Sequence, residues 1–581
     1  MQLRKGLLRR LLVLRPITNP SKSTRPFTRH TNIASHTRPQ LPFLSVPLAA
    51  RYQQFRYLTT ERKRWLAYEV FLGLKYTVYI WAVVGFSAVA YWSVQQEWLE
   101  RKYPTPHEWA FVTRLRFRLA KWAPERTDLP QPDWVQVGNY AKNVLERLED
   151  EKIDGAGLQH LTEGGNHIDG VGESGYDVTA KSEPWRRGYY EALMLCAKAA
   201  EHLDSYVVDK SRHLVFPADQ VLGPSNPNPK PISFGSQSAP HEDDCEAAFE
   251  APEKFYMRIL TTRGFTSKQK MDAALEYASW LDFKAVPDAA ERMYEWALSL
   301  ATEKLLPAML PYDTQTYVLR DDAPAPSVNV LTTLTALAVH KARNDDIATA
   351  LPILISVLRA RRALPPAYPT KISSSQSYDL EETHHSSPWT LANMATIAKR
   401  LVFPPAYPPP PDDGDSPPVR DAKELCEEAG LNLYIGEIIY ASKSSSSPSS
   451  REDGLAWTRE AVDLAEEQLH KLGHPGQDNS KAVVAARKTC RDCLTSGLEN
   501  WAKMVSRLSK EEREKEEHKE HAGLKASASW LGLWGEGRAD MDTPGRWAAE
   551  ENVVRERTRR AQEILEELEA PKLSIGNIFW V

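Results

Sequence analysis

Lys270–Ala301 reads KMDAALEYASWLDFKAVPDAAERMYEWALSLA, two consecutive runs whose apolar residues recur at helical spacing. Tyr277, Ala278 and Leu281 form the packing face of the first helix, and Ala290, Tyr294 and Ala297 that of the second. Small side chains at Ala278, Ala290 and Ala297 let two backbones approach, while the large ones fill the space between layers. A pair of this kind cannot bury both of its faces alone, so further pairs are expected beside it.

Three more stretches supply them. Leu337 and Ala338 are followed by Ala350, Leu354 and Val357. Ile435, Gly436 and Ile439 in NLYIGEIIYA are followed by Ala461 and Ala465, and Trp134, Val137 and Gly138 match a first helix alone. The spacing is that of tetratricopeptide repeats, in degenerate form: the regular period is about 34 residues, whereas Ala290 and Ala350 are 60 apart. Alternation suggesting strands is rare, so the expected class is all-α, a degenerate tetratricopeptide-like helical-repeat domain over residues 105–570. Helices around Trp185–Val207 and Arg546–Glu569 are expected to flank or cap it. Four stretches break the helical pattern: the Gly-rich segment from Asp154 to Gly175, VLGPSNPNPKP (Val221–Pro231), PPAYPPPPDDGDSPP (Pro404–Pro418) and SKSSSSPSS (Ser442–Ser450). Their composition predicts solvated insertions between helices.

The N-terminal region has a different character. LRKGLLRRLLVLR sets Leu3, Leu7, Leu11 and Leu14 on one helical face and Arg4, Lys5, Arg9, Arg10 and Arg15 around the rest, and residues 1–60 carry 11 basic residues and no acidic one. A basic amphipathic helix followed by a Ser/Thr/Arg/Pro-rich stretch is the profile of a mitochondrial presequence, here 1–60. After a basic flank at 61–75, Tyr76–Val94 offers 19 uncharged residues. As a helix these span roughly 28 Å, enough to cross a hydrocarbon core of about 30 Å. Aromatic residues gather at both ends (Tyr76, Tyr79, Trp81; Tyr91, Trp92, Trp98), where headgroups favour them. The heavier basic flank lies upstream, which predicts a single-pass inner-membrane protein with its N-terminus in the matrix and its C-terminal domain in the intermembrane space. A single span excludes a multi-helix transporter.

Beyond the leader, 62 basic residues face 77 acidic ones, a net charge of −15. That balance argues against a nucleic-acid partner, which would need cations on the folded part. Gly170-Val-Gly172-Glu-Ser-Gly175 has the letters of a dinucleotide loop but neither the preceding strand nor the following helix. His384-His385 and His518/His521 lie outside any metal-binding pattern. The five cysteines are too few and scattered to suggest a disulfide framework. Cys490-Arg-Asp-Cys493 could form a redox pair or supply two metal ligands, but nothing nearby completes a site; its setting, AVVAARKTCRDCLTSGLENWAKMV, predicts one helix whose apolar face absorbs both thiols. No nucleophile elbow, P-loop or triad signature is present. No catalytic residue, cofactor, metal or small-molecule substrate is therefore expected. The apolar end KLSIGNIFWV, within residues 571–581, is expected to dock on the body of the protein.

ERKRWLAYEV (Glu61–Val70), PTPHEW (Pro104–Trp109), EAPEKFYMRILTTRGFTSKQKM (Glu250–Met271) and LAWTREAVDLAEEQL (Leu455–Leu469), in this order behind an anchor, resemble the fungal tetratricopeptide-containing adaptor subunits of the mitochondrial inner-membrane i-AAA protease supercomplex. The resemblance implies a non-catalytic adaptor that binds misfolded or unfolded inner-membrane and intermembrane-space proteins and delivers them to the protease. Its partners would be the i-AAA protease subunits and the unfolded clients. Leu275, Ser279 and Asp282 on one first helix, and Leu433, Glu437 and Tyr440 on another, would then face clients. A membrane-anchored scaffold for protein import or respiratory-complex assembly could use the same repeats.

Overall fold

The computed structural model describes residues 60–126, 131–160, 175–232, 235, 237–366, 407–442, 448–473, 481–527 and 545–569. The expected presequence (except Thr60), His384-His385 and the apolar tail lie outside them, as does the Gly170–Gly175 loop apart from Gly175 itself.

The chain forms two compact units, Met1–Trp92 and Ser93–Val581. In the first, helix α1 (Thr60–Lys102, continuing into the second unit) is unbroken through the expected flank and span. Among the described residues it is the one helix long and apolar enough to cross a membrane. Its Ile80, Trp81, Val83, Phe86 and Val89 side chains are exposed, as an apolar surface awaiting a lipid or protein neighbour would be.

The second unit is mostly helical. Its helices are α2 (Phe111–Trp122), α3 (Trp134–Glu149), α4 (Glu183–Leu203), α5 (Pro252–Thr261), α6 (Ser267–Phe283), α7 (Pro287–Ala301), α8 (Val328–Arg343), α9 (Ile347–Arg362), α10 (Ala422–Ala441), α11 (Pro448–Leu472), α12 (Lys481–Ser527) and α13 (Arg546–Glu569). Local chemistry marks their starts. The Asp133, Ser182, Ser327 and Asp421 side chains accept from backbone N–H groups in the first turns of α3, α4, α8 and α10. Thr266 and Gln269 form a reciprocal capping box at α6, satisfying donors that the helix itself cannot.

From α6 onward each helix packs on the next, through to α13. Three-residue connections turn α6 into α7 and α8 into α9. The first members of successive pairs also touch, α6 with α8, α8 with α10 and α10 with α12. Burial follows the sequence pattern: Tyr277, Ala278, Leu281, Ala290, Tyr294, Ala297, Leu337, Ala338, Ala350, Leu354, Val357, Ile435, Ala461 and Ala465 are all buried. Gly436 is buried as well. Val137 and Gly138 are buried in α3, and Trp134 stacks on His202 of α4 at 3.9 Å between ring centroids.

At the crossing of α10 and α11 two glycines face one another. A Cβ on Gly436 would lie 2.8 Å from the Gly454 carbonyl oxygen, and one on Gly454 would lie 2.7 Å from that of Gly436. Backbone cannot move aside as a flexible side chain can. Gly436→Ala is expected to lower unfolding free energy by about 1–3 kcal/mol, measured by denaturant melts of the purified full-length protein.

Three expectations need correction. The class is not purely α, because short antiparallel strands occur: β1 (Gln159–His160) pairs with β2 (Tyr176–Asp177), and β3 (Tyr206–Asp209) lies between β4 (Leu214–Pro217) and β5 (Cys245–Ala247). The helix expected to reach Val207 stops at Leu203, since Tyr206-Val-Val208 and Leu214-Val-Phe216 are rich in β-branched and aromatic residues that suit a strand pair. The Pro-rich stretch also differs from a solvated linker where it is described. Arg187 of α4 donates to the carbonyls of Pro408 and Pro409 and lies 4.3 Å from the Tyr407 ring centre. Lys268 of α6 donates to the Asp412 carbonyl, and Asn329 of α8 to that of Asp413. Prolines remove backbone donors but leave carbonyls as acceptors, and side chains from three helices use that stretch's carbonyls.

Candidate functional groove

The first helices of successive pairs, joined by Tyr294 of α7 and Arg361 of α9, line one open cavity of about 700 Å³. Helix α6 contributes Leu275 and Ser279, one turn apart; α8 contributes Thr332, Ala336, Val339 and Arg343; α10 contributes Glu427, Gly430, Tyr434 and Glu437; α12 contributes Thr489, Asp492, Cys493 and Ser496. The α6, α8 and α10 sets recur at three or four residues, and on α12 Asp492 and Cys493 lie side by side between Thr489 and Ser496, so each helix turns one side to the cavity.

Of the six residues expected at a client surface, Leu275, Ser279, Leu433 and Glu437 line this groove. Asp282 and Tyr440 do not. Asp282 accepts from the Tyr294 hydroxyl at 3.0 Å and sits 2.7 Å from His340 Nδ1, tying α6 to α7 and α8. The His340 side chain is 1% exposed and that of Asp282 11%. Tyr440 donates its hydroxyl to the Met504 carbonyl at 3.0 Å, joining α10 to α12. In both cases helical spacing gives the right face to within a residue or two, and the polar tip turns inward to satisfy a buried partner.

Carboxylates outnumber cations along the groove. Glu427, Glu437, Asp492 and Glu499 line it, against Arg343 and Arg361. Arg361 is already paired with Glu424 in a buried contact, and Glu499 is bridged to Lys503 at 2.8 Å. Burial raises the pKa of Glu437 above the ordinary carboxylate range, an effect opposed by Lys503 and Arg343, and its carboxylate accepts from Asn500.

The cysteines arrange themselves in a way that spacing concealed. Cys490 is joined in a disulfide not to its near neighbour but to Cys426, 64 residues earlier, so the bond staples α12 to α10, with Cys426 itself on the groove wall. The expectation that both thiols of the CxxC are merely absorbed by the core is thus corrected for Cys490. Cys493 is free and lines the groove; burial, aided by Glu427, pushes its thiol up to about 12. A thiol held protonated is a weak nucleophile and a poor metal ligand. Among the described residues no group of three or more His, Cys, Asp or Glu is placed to hold a metal ion.

The groove therefore offers apolar floor, hydroxyls and carboxylates along several helices, the equipment of a binding surface. Comparison with known protein families, characterised proteins and solved structures finds no match to this chain.

Proposed function

We propose that the helix pairs are degenerate tetratricopeptide-type repeats and that the protein is a non-catalytic adaptor. It is anchored by α1 in the mitochondrial inner membrane, with its N-terminus in the matrix and its repeats in the intermembrane space. There it holds unfolded or misfolded proteins in the groove and presents them to an i-AAA protease. The observation that carries this reading is the groove itself. One face from each of four first helices lines it, the arrangement by which helical repeats hold an extended chain through many weak contacts. The Cys426–Cys490 disulfide supports the placement of the domain, because cytosolic thiols are kept reduced and disulfides persist in oxidising spaces.

Affinity purification of the detergent-solubilised full-length protein from mitochondria tests the proposal. Co-recovery of an AAA protease, with longer-lived inner-membrane substrates when the protein is deleted, is the expected result. Recovery of respiratory assembly intermediates without such a protease would replace the adaptor with a scaffold. Protease protection in intact and swollen mitochondria checks the orientation, the domain becoming accessible only after swelling.

A further inference from the structure

We infer that the groove selects extended segments in which lysine or arginine side chains are interspersed with apolar ones, an inference that rests on the reading of the groove as a client surface. Three features point to this ligand class. Leu275, Val339 and Tyr434 give apolar contact along the groove. Glu427 and Glu437, both on α10, leave carboxylates on the groove wall, and Asp492 on α12, bridged by Arg491 at 3.6 Å, adds a third. Apolar walls around charges of one sign concentrate their field on a ligand of the opposite sign. Arg361 is held by Glu424, and the cations near the other carboxylates sit at the edge: Arg491 bridges Asp492 at 3.6 Å and Lys503 acts on Glu437, so that on the groove wall Arg343 faces Glu427 and Glu437.

The length of the segment follows from the helices. Four neighbouring first helices at separations of about 8–10 Å span roughly 27 Å, which an extended chain covers in about eight residues.

The test uses full-length protein in lipid nanodiscs and three labelled nonapeptides: one alternating lysine with leucine and valine, one with glutamate in place of each lysine, and one of glycine and serine. Fluorescence anisotropy reads affinity, and a photoreactive residue placed at Ser496 reports where each peptide sits. The lysine peptide is expected to bind about tenfold more tightly than the glutamate peptide, to weaken as salt rises, and to cross-link at Ser496. Glu427→Gln combined with Asp492→Asn is expected to weaken it roughly fivefold with an unchanged melting curve.

Equal cross-linked binding of the lysine and glutamate peptides, indifferent to salt, would overturn the charge selectivity and leave the client surface standing. Binding of no peptide, or binding that never cross-links at Ser496, would overturn both. Cross-linking of Ser496 to a segment of the chain itself would show the groove to be self-occupied and likewise overturn the proposal. The salt titration on the unaltered protein decides the selectivity even if the double variant does not fold.

Discussion

Removing the Cys426–Cys490 bond is expected to lower the unfolding free energy of the domain by about 4 kcal/mol, read by urea melts of the Cys426→Ser/Cys490→Ser variant. The estimate follows from the loop of 64 residues that the bond closes in the unfolded chain, with measured losses for native disulfides of about 2–5 kcal/mol. Both sulfurs belong to residues that are almost fully buried, so the bond also holds α10 against α12 where each supplies a wall of the groove. Counting thiols provides the check that stability cannot. In denatured, unreduced protein taken directly from the cell, three of the five cysteines, Cys196, Cys245 and Cys493, should react with a maleimide, and all five after reduction. Reaction of all five without reductant would place the domain in a reducing space and overturn its assignment to the intermembrane space.

Asp282→Ala is expected to cost about 2–4 kcal/mol, because it strands two buried partners together. The hydroxyl of Tyr294 and Nδ1 of His340 both lose their acceptor, and His340 lies too deep for water to substitute. His340 Nε2 already faces Asn344 at 3.1 Å, so turning the ring would break that contact too. Asp282→Asn retains one acceptor oxygen and should lose roughly half as much. In the folded fraction of either variant, peptide binding to the groove should be unchanged. Weakened binding by a variant of undiminished stability would return Asp282 to the binding surface.

The helical pairing was legible from small and large residues at three- and four-residue spacing, because a helix that packs on one side writes its period into the sequence. The long apolar helix was legible from composition. What stayed hidden depends on contacts between distant segments. Cys426 and Cys490 lie on helices that are neighbours only once the intervening α11 has turned back, and a search for close spacing favours Cys493 instead. The three-stranded sheet rests on runs of three or four residues, shorter than any period can establish. The polar tips of Asp282 and Tyr440 were assigned to the correct helices but the wrong surroundings, since spacing fixes the direction of a Cβ to within a stripe and leaves the hydrogen-bond partner open. Cys493 gave no signal of a place in the groove; it becomes a candidate only when four helices are seen together.

The facing glycines of α10 and α11 restrict how the protein can drift over generations. Core positions commonly exchange volume, one residue growing as its neighbour shrinks, so that each change can be rescued by another. Gly436 and Gly454 have no such route, because the obstacle each meets is the other's main-chain oxygen, which no substitution removes. Enlarging either one leaves its counterpart nothing to give up. The two positions therefore behave as a single locked site, and that interhelical seam should tolerate less variation than the deeper hydrophobic layers on either side of it.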